Sequence, residues 1–143
     1  MKALIVGAGN IGLGFLGYLL WKSGQFRITF LETREDRIRI LNKERAYTVV
    51  TVSNNGLREE TVRPVCAISS KDKNSVIKAI VETDLILTAV GKTNLIHIAP
   101  HLAAGLTERL RRRPRTEMHV VVIACENVYD NTRYLEEMIL NNL

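Results

Sequence analysis

"KALIVGAGNIGLGF", residues 2–15, decides how the rest of this 143-residue chain is read. A short aliphatic and β-branched run stops abruptly at Gly7, and Gly9, Gly12 and Gly14 follow within a weakly charged stretch that continues to Trp21. Such a stretch can open an export signal, span a membrane, or turn a strand into a helix. Glycines in the middle of a signal or membrane helix would cost roughly 1 kcal/mol each. No small-x-small cleavage site follows, since the chain goes on as "WKSGQFRITFLE" at 21–32. Asn10 and the glycines also interrupt the roughly 20 apolar residues that a membrane helix needs. The strand–turn–helix reading survives.

Bulk composition agrees with it. Hydrophobic residues make up 46% and charged residues 24%, the balance of one globular domain able to bury a core. The formal charge of +5 invites a nucleic-acid reading, but five arginines of "RLRRRPR", residues 109–115, account for it. Arginines favour the negative pole of a helix, so this run is expected to be a solvated helix end. No aromatic residue interleaves it and no recognition-helix pattern surrounds it, which argues against a nucleic-acid partner. Cys66 and Cys125 form no disulfide framework and read as reduced, buried thiols of a cytoplasmic protein.

Strands and helices alternate along the chain. "KALIVG" is a strand, 11–23 a helix ending near Ser23-Gly24, "FRITFLE" at 26–32 a second strand, and "REDRIRILNKE" a second helix with Ile38 and Leu41 on one face. "YTVVTV" at 47–52 and "REETVRPV" flank "NNG" at 54–56, a hairpin turning at Asn-Gly. "CAIS" at 66–69 is a short strand, and "DKNSVIKAIVE" is a helix. "DLILTAVG" at 84–91 and "HVVVIACEN" at 119–127 are apolar strands. Between them runs a helix from about 94 to 112, with Pro100 inside it or breaking it, and "NTRYLEEMIL" closes the chain as a helix. Strands apolar on both faces belong to a sheet covered by helices on both sides. The expected fold is therefore α/β: one doubly wound, mainly parallel sheet of Rossmann type over residues 1–143, with a β-hairpin insertion.

In that setting G-A-G-N-I-G has a physical meaning. Gly7 permits the tight turn out of the strand, Gly9 lets backbone approach a pyrophosphate, and Gly12 allows close packing of helix on sheet. The helix start offers free N–H groups and partial positive charge to phosphate. Glu32 ends the second strand 20 positions after Gly12, where a carboxylate accepts the adenine ribose hydroxyls and repels a 2′-phosphate. NAD is thus favoured over NADP, although the neighbouring Arg34 leaves a 2′-phosphate reading open. The expected cofactor contacts are Gly7, Ala8, Gly9, Asn10, Ile11, Gly12, Glu32 and Thr33. Gly14 and Gly17, beyond the fingerprint, are expected to serve packing alone.

Ligands of open α/β sheets sit beyond the carboxyl ends of the strands. "TAVG" at 88–91 brings Ala89, Val90 and Gly91 towards the middle of the cofactor, and "ACEN" at 124–127 places Asn127 to hydrogen-bond a nicotinamide ribose or substrate oxygen. Glu126 reads equally as a general acid/base or as a cap on the next helix. His97 and His101 are four apart on one helix, but no third ligand is evident and no metal site is expected. No lysine or histidine falls into place as the proton donor of a carbonyl reduction, so the catalytic residue is unknown.

The opening "MKALIVGAGNIGLGF", with "TAVG" and "ACEN" in the same order and approximate spacing, resembles the mannitol-1-phosphate 5-dehydrogenases, members of the polyol-specific long-chain (mannitol) dehydrogenases. The hairpin before "CAISS" fits that family too. The resemblance spans essentially all 143 residues and implies an NAD-dependent oxidoreductase interconverting mannitol 1-phosphate and fructose 6-phosphate. It implies Gly7, Gly9, Gly12 and Glu32 as cofactor ligands, with Val90, Gly91 and Asn127 lining the nicotinamide side. Leu13 departs from it, since the family commonly has arginine between its third and fourth glycines. Family members also carry a second, mostly helical domain with the catalytic lysine, to which nothing in these residues corresponds. The chain alone is then expected to hold the cofactor without turning over a sugar phosphate or polyol, a missing domain or partner chain completing the site. The alternative is a stand-alone NAD-sensing domain of the kind that gates potassium transport systems, which the hairpin and "ACEN" fit poorly.

Overall fold

Alternation along the first strand sets the layers. In the structure, a computed structural model describing residues 1–114, 116 and 119–143, β1 (Lys2–Val6) sends Ile5 into one buried cluster and Leu4 and Val6 into another. Four parallel neighbours complete the sheet: β2 (Arg27–Glu32), β5 (Val65–Ser69), β6 (Leu85–Thr88) and β7 (Val121–Ala124), in the order β5-β2-β1-β6-β7. The chain steps outward from β1 through β2 to β5, then returns to the other side of β1 for β6. The order therefore reverses between β1 and β6, and that switch point is where such sheets bind ligands.

One face is covered by the helical segment that follows β1 and by α2 (Glu35–Glu44), whose Leu16, Ile38 and Leu41 pack with Ile5, Ile28 and Phe30. The other carries α3 (Lys73–Glu82), α4 (Leu95–Arg112) and α5 (Asn131–Leu140), with Val76, Ile80, Leu102 and Leu135 against Leu4, Val6 and Ile86. Asp72 caps α3, accepting from Ser75 N–H at 3.1 Å. Pro100 lies inside α4, which runs on through it. The doubly wound parallel sheet is as expected. β6 and β7 are shorter than the apolar runs that contain them, and Val121 and Ile123 of β7 are exposed, with no described helix packed on that face.

The hairpin, β3 (Tyr47–Ser53) and β4 (Gly56–Val62), is a separate antiparallel pair. Its reversal falls on Asn54-Asn55, with Gly56 at φ 108° opening β4, one residue earlier than an Asn-Gly turn. Tyr47 ties the hairpin to the first helix. Its hydroxyl donates to Leu13 O at 2.8 Å, and a Cβ on Gly17 would lie 2.3 Å from that hydroxyl and 2.9 Å from the Phe30 ring. Gly17 thus serves packing, as expected, and the helix there is widened into a π turn over Gly12–Gly17 before continuing as α1 (Tyr18–Ser23).

Candidate functional site

The glycine loop leaves β1 at the switch point, and its three glycines meet three different surroundings. Gly7 has φ 102°, and a Cβ there would lie 2.4 Å from Ala89 O. A Cβ on Gly12 would lie 1.9 Å from Gly7 O. Neither position has room for a side chain. Nothing lies within 4 Å of a Cβ built on Gly9, so the loop is open at its middle glycine and closed at the outer two. Asn10 and Ile11 open the helix, exposed, and Leu13 N–H is accepted by Gly9 O at 2.8 Å. Amides ahead of that bond have no acceptor within the helix, the arrangement that favours an anion at a helix start.

Glu32 is 8% exposed and faces this loop. Its Oε1 accepts from the N–H groups of Thr33 (2.7 Å) and Arg34 (3.1 Å) and from the Thr33 hydroxyl (3.2 Å). Its Oε2 accepts from Ala8 N–H at 3.1 Å and from Arg37 Nη1 at 3.2 Å, and Arg37 also donates to Ala8 O at 2.7 Å. Burial works against the charge, but the Arg34, Thr33 and Ala8 amides and Arg37 outweigh it and hold the carboxyl below its ordinary range. Glu32 is therefore ionised, and it fixes the loop as well as facing the space beside it. Arg34, the residue available to a 2′-phosphate, is turned to Asp36 (Nη2–Oδ2 2.8 Å, Nε–Oδ1 3.3 Å).

The opposite wall is built by a second buried carboxylate. Glu126, also 8% exposed, accepts from Val90 N–H (2.9 Å) and Gly91 N–H (2.8 Å), while its own carbonyl accepts from Asn131 Nδ2 at 2.6 Å. It neither caps α5 nor stands free as an acid/base. It staples the end of β6 to the end of β7 and holds Gly91 at φ 86°. Asn127 follows it, exposed.

Two clefts meet at this junction. One of about 410 Å3 is lined by Gly7, Ala8, Gly9, Glu32, Thr33 and Val90. The other, about 510 Å3, is lined by Ile11, Gly91 and Asn127 together with Phe15, Ala89 and Cys125. Ser70, Asn94 and His97 also line the first cleft, though sequence reasoning assigned them nothing. Ser70 directly follows β5, so the strand-end rule could have found it. For His97 the sequence shows only its four-residue spacing from His101, and the short 3-10 turn Lys92–Asn94 that swings α4 over the cleft leaves no pattern of its own.

Three expectations fail for identifiable reasons. Gly14 packs against nothing within 4 Å of a Cβ and is exposed. Arg109 is 2% exposed rather than solvated; its Nη1 donates to Val81 O (2.8 Å) and Thr83 O (2.6 Å) at the end of α3, and Nη2 to His119 O (2.7 Å). The run holding it continues to Arg115, which lies outside the described residues. Cys66 and Cys125 are free but half-buried, and burial, with Glu126 nearby, pushes the Cys125 thiol up. Among the described residues no group of three metal-ligating side chains is present. No described helix is long and apolar enough to cross a membrane.

Residues 1–143 match the family model described as the mannitol dehydrogenase Rossmann domain. The chain belongs to the mannitol dehydrogenase family. Its fold is accordingly a dinucleotide-binding one. Similar proteins include mannitol-1-phosphate 5-dehydrogenases of Exiguobacterium sibiricum (38% identical over 143 residues), Shouchella clausii (42% over 144) and Brevibacillus brevis (40% over 143). Each comparison covers 100% of this chain but only 36%, 37% and 36% of the relative. This member of the mannitol dehydrogenase family thus spans little more than a third of their length. Among solved structures, apo saccharopine dehydrogenase (L-Glu forming) from Saccharomyces cerevisiae superposes with a TM-score of 0.52 at 14% identity, over 96% of this chain and 24% of that one. That likeness is one of fold.

Proposed function

We propose that this chain is the NAD-binding part of a cytoplasmic polyol-phosphate dehydrogenase that transfers hydride between mannitol 1-phosphate and fructose 6-phosphate. The observation that carries the reading is the loop open only at Gly9, beside a buried, ionised Glu32 at the switch point. A pyrophosphate fits there: Gly9 leaves its approach clear, and the amides of Asn10, Ile11 and Gly12 at the helix start are its donors. Glu32 is the acceptor for ribose hydroxyls, with Thr33 beside it. A 2′-phosphate would meet the Glu32 charge, and Arg34 is engaged by Asp36, which supports NAD over NADP.

NAD, when bound, supplies the hydride acceptor. Gly7 and Ala8 shape the turn beneath it, while Val90, Gly91 and Asn127 line the nicotinamide side of the crevice, where small groups leave room for the ring. The proton donor and most of the substrate pocket come from a further, mostly helical domain or partner chain. The relatives' names support the sugar-phosphate substrate, and their greater length supports a second domain.

The test is direct. Purified residues 1–143 should bind NADH yet fail to reduce fructose 6-phosphate. Robust turnover by this chain alone would overturn the division of labour, and failure to bind any dinucleotide would overturn the reading itself.

A further inference from the structure

A second, separate groove lies at the other end of the sheet. About 620 Å3 in volume, it opens between α3 and the β2–β5 edge, on the face where α3 is the nearest helix, and reaches the amino ends of β1, β2 and β5. Its floor is Thr29 and Cys66, paired in register with Oγ1 and Sγ 3.3 Å apart, and Ile68. Its rim is cationic: Lys2, Arg27 and Arg45 on the sheet side and Lys78 on α3. Lys2 pairs with Glu82 at 2.8 Å. Arg27, Arg45 and Lys78 make no ion pair and no side-chain hydrogen bond among the described residues.

The register makes this rim a row. Lys2 lies opposite Arg27 in β1 and β2, Ile28 lies opposite Val65, and Val65 N–H is accepted by Arg45 O at 3.0 Å. The backbones of Lys2 and Arg27 thus lie one strand spacing apart, roughly 4.8 Å, and Arg45, just past α2, is tied to the next strand, β5. Glu82 is the single carboxylate among the described residues lining the groove; its bond with Lys2, working against burial, holds it below its ordinary range, and the nearby charges of Lys78 and Arg113 add to this. The outer edge of β5 does not offer itself to another strand. Asn42 of α2 both donates to Ala67 O (2.9 Å) and accepts from Ala67 N–H (2.8 Å). An occupant must therefore be held by side chains, and the volume is that of a small-molecule site.

We propose that this groove binds a small polyanion, a phosphorylated or polycarboxylate metabolite, through Arg27, Arg45 and Lys78. The site lies apart from the crevice at the carboxyl ends of the strands and does not depend on what that crevice binds.

Tripolyphosphate and citrate, titrated at constant ionic strength into 15N-labelled protein with chloride as control, test it by amide shifts. The expected shifts surround Arg27, Thr29, Arg45, Cys66 and Lys78, with affinity falling about tenfold in Arg27→Gln, Arg45→Gln and Lys78→Gln. Dispersed spectra of the variants would show that they remain folded. The proposal is overturned by an absence of shifts at millimolar anion, by shifts confined to residues 7–12, or by affinities that the three substitutions leave unchanged. Binding of an acidic polypeptide such as polyglutamate, with none of the small anions, would also overturn it.

Discussion

Glu32, at the end of β2, and Glu126, just beyond β7, are two buried carboxylates on opposite sides of the β1–β6 switch point, equally hidden and both engaged by backbone N–H groups. Their surroundings differ. Both Glu32 oxygens are bonded, to the Ala8, Thr33 and Arg34 amides, the Thr33 hydroxyl and the Arg37 guanidinium, whereas the Glu126 oxygens accept only from the Val90 and Gly91 amides. Each carboxylate shapes the wall of one cleft: Glu32 that of the glycine loop, Glu126 that of the cleft beside Gly91 and Asn127. What separates them is the cation: Arg37 bonds Glu32 and the Ala8 carbonyl of the glycine loop, while only backbone amides meet the Glu126 carboxylate.

The largest expected effect breaks the glycine loop on the Glu32 side. Gly12→Ala forces a Cβ into Gly7 O and should cost about 3 kcal/mol or more in chemical denaturation, with dinucleotide binding lost. Glu126→Ala comes next. Leaving the Val90 and Gly91 amides unpaired should cost about 2–4 kcal/mol, while Glu126→Gln, which keeps one acceptor, should recover part of it.

Glu32→Gln sharpens the contrast through pH. A carboxyl held below its unfolded value contributes stability that is present above about pH 4 and lost as the pH falls through the folded value. Denaturation midpoints of the wild type should therefore drop on acidification below about pH 4, and the variant should lose less over that window. Smallest of all is Gly14→Ala. With no neighbour to meet, it should leave stability unchanged or raise it by up to about 1 kcal/mol, so thermal melting would separate it cleanly from Gly12→Ala.

These contrasts also mark what the sequence could carry. The order of strands and helices, the fingerprint and Glu32 were legible because each depends on local spacing: a period, a glycine interval, a fixed distance along the chain. The staple at Glu126 was not, since its partners lie 35 and 36 residues away and are backbone amides that carry no residue-type signature. Arg109 misled for the same reason. Its sequence neighbours are exposed arginines, and only the packing of α4 against α3 turns it inward to the last carbonyls of that helix. Gly14 looked like Gly17 by spacing, but Tyr47 from the hairpin reaches only Gly17.

The central claim is that the crevice holds NAD with Glu32 as the ribose acceptor, and calorimetry of NADH and NADPH binding to wild type and Glu32→Ala tests it most directly. NADH should bind the wild type more tightly than NADPH does. In the variant, NADH affinity should fall about tenfold and the preference for NADH should shrink or reverse. Equal affinities in wild type and variant, or no binding of either dinucleotide to the wild type, would contradict it.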